Sequence, residues 1–172
     1  CDSVYPNDAR VGIPRIFVSR TVLAQTQISE AIRSVLMRWR AAGYNHLIAD
    51  RNGELYNVEV SARHFATIYG LDGYLAHTNN YLTARMKKVE NRTEDLIGSR
   101  VRVNRATRLL RNTKRHSVDT LKTICSHTEP EDNPLDRQKT IGSMIFDLTS
   151  LEMHFCWGNP CTGTYCTYRL EV

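Results

Sequence analysis

Tyr44-Asn45-His46-Leu47-Ile48-Ala49-Asp50-Arg51-Asn52-Gly53-Glu54-Leu55-Tyr56-Asn57-Val58-Glu59-Val60 decides the fold class. His46 to Ala49 and Glu54 to Val60 carry strand-forming residues, and Asp50 to Gly53 between them is turn chemistry, so the stretch reads as a β-hairpin. Two more strands, at His64 to Tyr69 and Tyr74 to His77, extend an antiparallel sheet, with Leu71-Asp72-Gly73 as connector. Upstream the period is helical. Pro14 to Gln25 reads as one helix, and Ile28, Ala31, Ile32, Val35, Leu36 and Trp39 form the apolar stripe of a second, from Thr26 to just before Gly43.

Downstream, the polar run Asn79 to Gly98 reads as a loop. Ser99 is the expected N-cap of a helix through Arg105 and Leu109, and a further helix lies near Ser117 to Ile124. The acidic, proline-bearing segment Glu129 to Pro134 is a loop. Three strands follow, at Thr140 to Asp147, Glu152 to Trp157 and Thr164 to Leu170. Helices, strands, helices and strands in that order give an α+β class with antiparallel sheets.

The chain has 172 residues, 41% of them hydrophobic and 24% charged, with net charge +5. That composition is globular, and no apolar run approaches the length of a membrane span. Eleven Lys or Arg fall between Arg85 and Arg115 against Glu90, Glu94 and Asp95. Charge alone reads as a solvated helix face. A nucleic-acid partner is not expected, because the stretch is almost without aromatic residues and holds no reader motif. Five cysteines, three of them at Cys156, Cys161 and Cys166, form no CxxC pair, so a reduced set of thiols is expected. No phosphate-loop, nucleophile-elbow, zinc-helix or dinucleotide motif is present.

Two places suggest chemistry. Cys1 carries a thiol beside an α-amino group able to act as its base, the logic of N-terminal nucleophiles, or it marks where an incomplete chain starts. His77-Thr78-Asn79-Asn80 lies at a strand end, where Asn79 can offer an amide N–H to a developing oxyanion, although turn chemistry explains the same residues. Arg137, just ahead of a strand, suits a carboxylate or a developing charge. His127 with Glu129, Glu131 and Asp132 matches no metal-ligand spacing, and His46 and His154 read as residues at the edge of the core.

Several stretches together resemble the acyl-coenzyme A:6-aminopenicillanic acid acyltransferase family, autoproteolytic acyltransferases and hydrolases also classed as peptidase family C45. They are Val11-Gly12-Ile13-Pro14 before a helix, Tyr44 to Asp50 with Gly53-Glu54 and Asn57-Val58-Glu59, and His77-Thr78-Asn79. Ser99 with Arg102 and Arg105, Thr123-Ile124-Cys125, Arg137 ahead of Thr140, Met144 to Leu148 and Gly158-Asn159-Pro160-Cys161 complete the set. The resemblance implies a four-layer αββα sandwich of the N-terminal-nucleophile hydrolases, and a cysteine thiolate that takes an acyl group from a small amide or thioester and passes it to water or an amine. It implies Asn79 as the oxyanion-hole asparagine, Arg137 as an active-site arginine and Arg102 as a weaker match. Neither a metal nor an organic cofactor is required.

Aligned through Val11 to Pro14, Cys1 falls in a family strand and not at the nucleophile. The expectation is therefore that residues 1–172 are the C-terminal major part of one domain, inactive alone, with the nucleophile on an N-terminal segment or subunit of the same precursor. Gly98 stands where the family has an aspartate, and Ser126 follows Cys125 where some members carry arginine, so the penicillin substrate is not carried over. The competing expectation is a catalytically inactive relative that keeps the fold as a binding module. No membrane partner is expected, and with Arg169 to Val172 lacking a peroxisomal tripeptide, a cytoplasmic location is the default.

Overall fold

A computed structural model describes residues 2–91, 96–126 and 140–171. Backbone contacts divide the chain into two compact units, Cys1–Asn104 and Arg105–Val172. The first holds α1 (Arg15–Leu23), α2 (Ile28–Val35), β1 (Tyr44–Ala49), β2 (Leu55–Val60), β3 (Phe65–Tyr69), α3 (Ala84–Lys87) and the opening of α4 (Leu96–Asn112). The second holds the rest of α4, α5 (Val118–Cys125), β4 (Gly142–Asp147), β5 (Glu152–Trp157) and β6 (Tyr165–Arg169). Each unit contains one antiparallel three-stranded sheet, in the orders β1-β2-β3 and β4-β5-β6. The α+β class is as the sequence predicts. Among the described residues no helix is long and apolar enough to cross a membrane.

The hairpin forms where its turn residues demand. Asp50 Oδ1 accepts from Asn52 N at 2.9 Å and Glu54 N at 3.0 Å, and Gly53 takes φ 93°, a region glycine enters without a Cβ clash. The register sets His46 opposite Val58 and Asn45 opposite Glu59. Because side chains alternate, the sheet acquires two unlike faces. On one, Val58 and Val60 pack with Val35 of α2 and with Val22, Ile32, Tyr44 and Ile48 around them. Each fully buried valine there contributes roughly 1.5–3 kcal/mol. The other face carries Asn45, Asn57 and Glu59, all buried, with Asn45 Nδ2 donating to Asn57 Oδ1 at 2.7 Å.

Three expectations are corrected. The second helix ends at Val35, not before Gly43. Beyond it Trp39 takes φ 65°, so the residue read as the end of an apolar stripe stands 64% exposed. Tertiary contacts override the helical pattern here. Ile13 bridges Arg40, Ile13 N donates to Trp39 O at 2.7 Å, and a Cβ on Gly12 would meet that oxygen at 2.2 Å. The buried Arg40 donates to Ser61 O and Met37 O at 3.0 and 2.7 Å. Tyr74 to His77 forms no strand, and its last residue, His77, is held by its side chain between Asp2 and Glu59. Ser99 is no N-cap: α4 starts three residues earlier, at Leu96, and Ser99 is buried within its first turns.

The loop read from Asn79 to Gly98 contains α3, whose N-cap Thr83 accepts from Met86 N. The expected helix near Ser117 forms as α5 with Ser117 capping Thr120 N, and all three C-terminal strands form within two residues of expectation. Among the described residues, Cys125, Cys156, Cys161 and Cys166 are unpaired cysteines. His46 and His154 are both buried.

Candidate active site

The His77-Thr78-Asn79-Asn80 segment is held by its side chains, one after another. His77 is the first anchor. Its ring is 1% exposed and lies between two carboxylates, with Nδ1 3.1 Å from Asp2 Oδ2 and Nε2 3.0 Å from Glu59 Oε1. Burial alone would disfavour the imidazolium, but the two carboxylates outweigh it and hold the His77 pKa above its ordinary 6.5. Both ring nitrogens then donate.

Glu59 in turn organises the residues that follow. It also accepts from the backbone N–H groups of Leu82 and Thr83 and from Thr83 Oγ1 at 2.7 Å. Burial pushes its pKa up, yet these donors and His77 together keep it below the ordinary carboxylate value. One buried carboxylate on β2 thus fixes both the histidine before Asn79 and the start of α3 after it. Asp2 is placed by backbone: its N–H and C=O bond to those of Asn45 at 3.0 and 2.9 Å, along the outer edge of β1.

Thr78 and Asn80 are tied to α4. Thr78 Oγ1 donates to Ser99 O at 2.8 Å, and Ser99 Oγ donates to Asn80 Oδ1 at 2.8 Å. Asn79, between them, remains partly accessible. Its Oδ1 accepts from Arg102 Nη2 at 3.0 Å and its Nδ2 donates to Ser3 O at 3.0 Å. Those two partners fix which end of the amide is oxygen and which is nitrogen. An amide nitrogen carries two hydrogens, so after Ser3 O one N–H of Asn79 is left to donate. Arg102 also withdraws density through Oδ1, which makes that N–H a better donor. Tyr81 closes the segment from below, its N–H on Glu90 Oε1 at 2.6 Å and its hydroxyl on Val60 O at 2.8 Å.

Of the residues singled out from sequence, Asn79 and Arg102 are in direct contact, whereas Arg137, Cys1, His127, Glu129, Glu131 and Asp132 lie outside the described residues. Glu59, Asp2, Ser99 and Thr83 were missed as parts of this site. One signal for Glu59 was available: Asn57 and Glu59 are polar at i and i+2 on a strand whose other face is Val58 and Val60, opposite a further polar residue, Asn45. Such alternation usually means a solvated face, and here it is buried.

The family model described as Acyl-coenzyme A:6-aminopenicillanic acid acyl-transferase matches residues 2–162. The chain belongs to that family. Comparison with curated proteins gives no match. Membership assigns acyltransferase-type chemistry to the family in which Asn79 and its supports sit.

Proposed function

We propose that this chain forms the greater part of an autoproteolytic cysteine N-terminal-nucleophile acyltransferase or amidase, acting on a small amide or acyl thioester. The nucleophilic thiol comes from the N-terminal segment or subunit of the same precursor, and the whole adopts the four-layer αββα arrangement. In the first step the thiolate attacks the substrate carbonyl carbon and the carbonyl oxygen becomes an oxyanion. Asn79 Nδ2–H stabilises that charge. Collapse expels the amine or thiol, which takes the proton that the cysteine thiol gave to its own α-amino group, and leaves a cysteine thioester. Water or an amine then attacks it, losing a proton to the same α-amino group and releasing the thiol. Arg137 meets a carboxylate or developing charge of the substrate. Neither metal nor organic cofactor enters these steps.

The observation that carries the reading is the amide of Asn79, oriented by Arg102 and Ser3 with one N–H unassigned in a partly accessible position. A donor fixed before the reaction costs no reorganisation when the charge appears. Among the described residues no strand lies beyond β1, whose start is bridged by Asp2, and this supports the addition of a precursor strand there.

In the complete precursor, Asn79→Ala is expected to lower kcat by about 10² to 10³ with the circular-dichroism spectrum unchanged. An unchanged kcat removes Asn79 from the oxyanion hole. Labelling of the native precursor by a thiol-directed acylating probe is expected at one processed N-terminal cysteine, and its absence favours the inactive-relative reading.

A further inference from the structure

We propose that a second site, formed around Trp39 in the first unit, binds a nucleotide: a planar base stacked on the indole with its phosphates on arginine. A cleft of about 370 Å³ is lined by Arg10, Arg38, Arg40 and Arg63 together with Trp39 and Phe65. Its volume is that of a small-molecule site. Four arginines separated by up to 53 positions in the sequence converge there, and no acidic residue lines the cleft. Asp8, whose charge acts on Arg40, accepts from Ser61 Oγ at 2.8 Å and from the backbone N–H groups of Ala62 and Arg63 at 3.2 and 3.0 Å.

The four guanidinium groups are not equivalent. Arg40 is buried and donates to the carbonyls of Ser61, Met37 and His64. Arg10 is fixed by donating to Arg40 O and Ala62 O at 3.1 and 3.0 Å, with its charge 5.2 Å from the centre of the Trp39 ring. Arg38 and Arg63 are exposed, and among the described residues neither guanidinium has a hydrogen-bond or ion-pair partner. Two fixed charges therefore raise the local potential while two free forks are open to oxygen acceptors, the arrangement that matches phosphate geometry.

Phosphate alone does not account for Trp39. A large aromatic residue at φ 65° is an outlier, held there by the Gly12 and Ile13 contacts, and the result is an indole 64% exposed beside the arginines. Indole faces stack on nucleobases. Each ring carries a guanidinium on one face, Arg10 on Trp39 at 5.2 Å and Arg85 on Phe65 at 5.5 Å, and Trp39 is the more exposed of the two, 64% against 40%. One indole face left beside Arg10 and one pair of exposed arginines in a cleft fit a single nucleotide better than a polymer, which requires repeated stacking platforms and a tract of phosphate contacts.

The test uses the whole chain carrying Trp157→Phe, which leaves Trp39 as the sole indole. Titration with ATP is expected to quench Trp39 fluorescence saturably, and equilibrium dialysis to give the same affinity. Adenosine and tripolyphosphate, each supplying half the recognition, are expected to bind about tenfold or more weaker. Arg38→Gln with Arg63→Gln is expected to weaken ATP about tenfold or more, and to flatten the dependence on salt, while the unfolding midpoint stays unchanged because neither side chain has a partner to lose. Absence of saturable quenching up to millimolar ATP, equal affinity for tripolyphosphate and ATP, indifference to the double substitution, or tighter binding of a single-stranded oligonucleotide than of ATP would each overturn the proposal. No acyl transfer enters the readout, so the result stands apart from the proposed reaction.

Discussion

Acidifying the protein from pH 6.5 to pH 4.5 is expected to cost about 2 kcal/mol through His46 alone. The His46 side chain is almost wholly buried against the helices that cover the sheet, and burial, with nearby positive charge including that of Arg40, pushes its pKa from 6.5 down to about 4. Between those values the unfolded chain binds a proton that the folded chain refuses, so stability rises with pH across the window. Integrating from pH 6.5 to 4.5 with a folded value of about 4 gives the figure quoted, at roughly 1.4 kcal/mol per pKa unit. Among the described residues the window separates this group from His77 and Glu59. The raised His77 contributes stability that is fully present below 6.5 and is lost only as pH rises through its folded value. The lowered Glu59 contributes stability present above 4.5 and lost as pH falls below that.

The perturbation that isolates the effect is His46→Gln. Glutamine keeps an amide within reach of Ser19 Oγ, which lies 3.3 Å from His46 Nε2, and does not titrate. At pH 6.5 the variant is expected to be less stable by about 1 kcal/mol, from a weakened hydrogen bond and poorer packing. At pH 4.5 the order reverses, with the variant ahead by about 1 kcal/mol. Urea unfolding at half-unit pH intervals, with a constant slope against urea, reads both curves. Curves for the two proteins that stay parallel from pH 6.5 to 4.5 refute the reasoning, since they place the pH dependence elsewhere.

Two further outcomes test the site itself. Glu59→Gln keeps one of the two oxygens that accept from Leu82 N and Thr83 N, puts an NH2 in place of the other, and removes one of the two charges on His77. It is expected to cost about 2–3 kcal/mol, less than full loss of a buried partner because Asp2 remains, and to bring the His77 pKa down toward its ordinary value by NMR titration. Arg102→Ala leaves the Asn79 amide without its fixed orientation and is expected to lower kcat of the complete precursor about tenfold with KM unchanged, whereas Arg102→Lys, which can still donate to Asn79 Oδ1, recovers part of the loss. A KM effect of the same size would mean that Arg102 contacts substrate.

The hairpin was legible because its evidence is local. Asp50 to Gly53 carry turn chemistry in their own side chains, and the six strands that form follow from runs of strand-forming residues between such punctuation. The second helix was misread for the opposite reason. Leu36 and Trp39 continue the apolar spacing of α2, and nothing in residues 26–43 reports that Gly12 and Ile13 capture the backbone of Trp39 and Arg40 from another part of the chain. Tyr74 to His77 failed likewise: its residues suit a strand, but the partners that hold it are Asp2 and Glu59, 75 and 18 positions away. Local pattern decides structure only where no distant group outbids it.

The same division governs the two sites. Asn79 was singled out because His-Thr-Asn is contiguous, and its contact with Arg102 was half-visible in the Ser99-x-x-Arg102 spacing of α4. What the spacing hid was the purpose of Ser99, a residue good at capping helices that instead ties Thr78 and Asn80 to a helix already begun. The arginine cleft was invisible for a stronger reason. Counting charge along the chain points to Arg85 to Arg115, where α4 spreads its arginines around a helix, while Arg10, Arg38, Arg40 and Arg63 are scattered and make no run. Charge density relevant to a ligand is a density in space, set by the turn at Trp39 and the approach of residues 10–13 to it. A linear charge profile therefore passes over a cluster of cations that the sheet, and not a single helix, gathers.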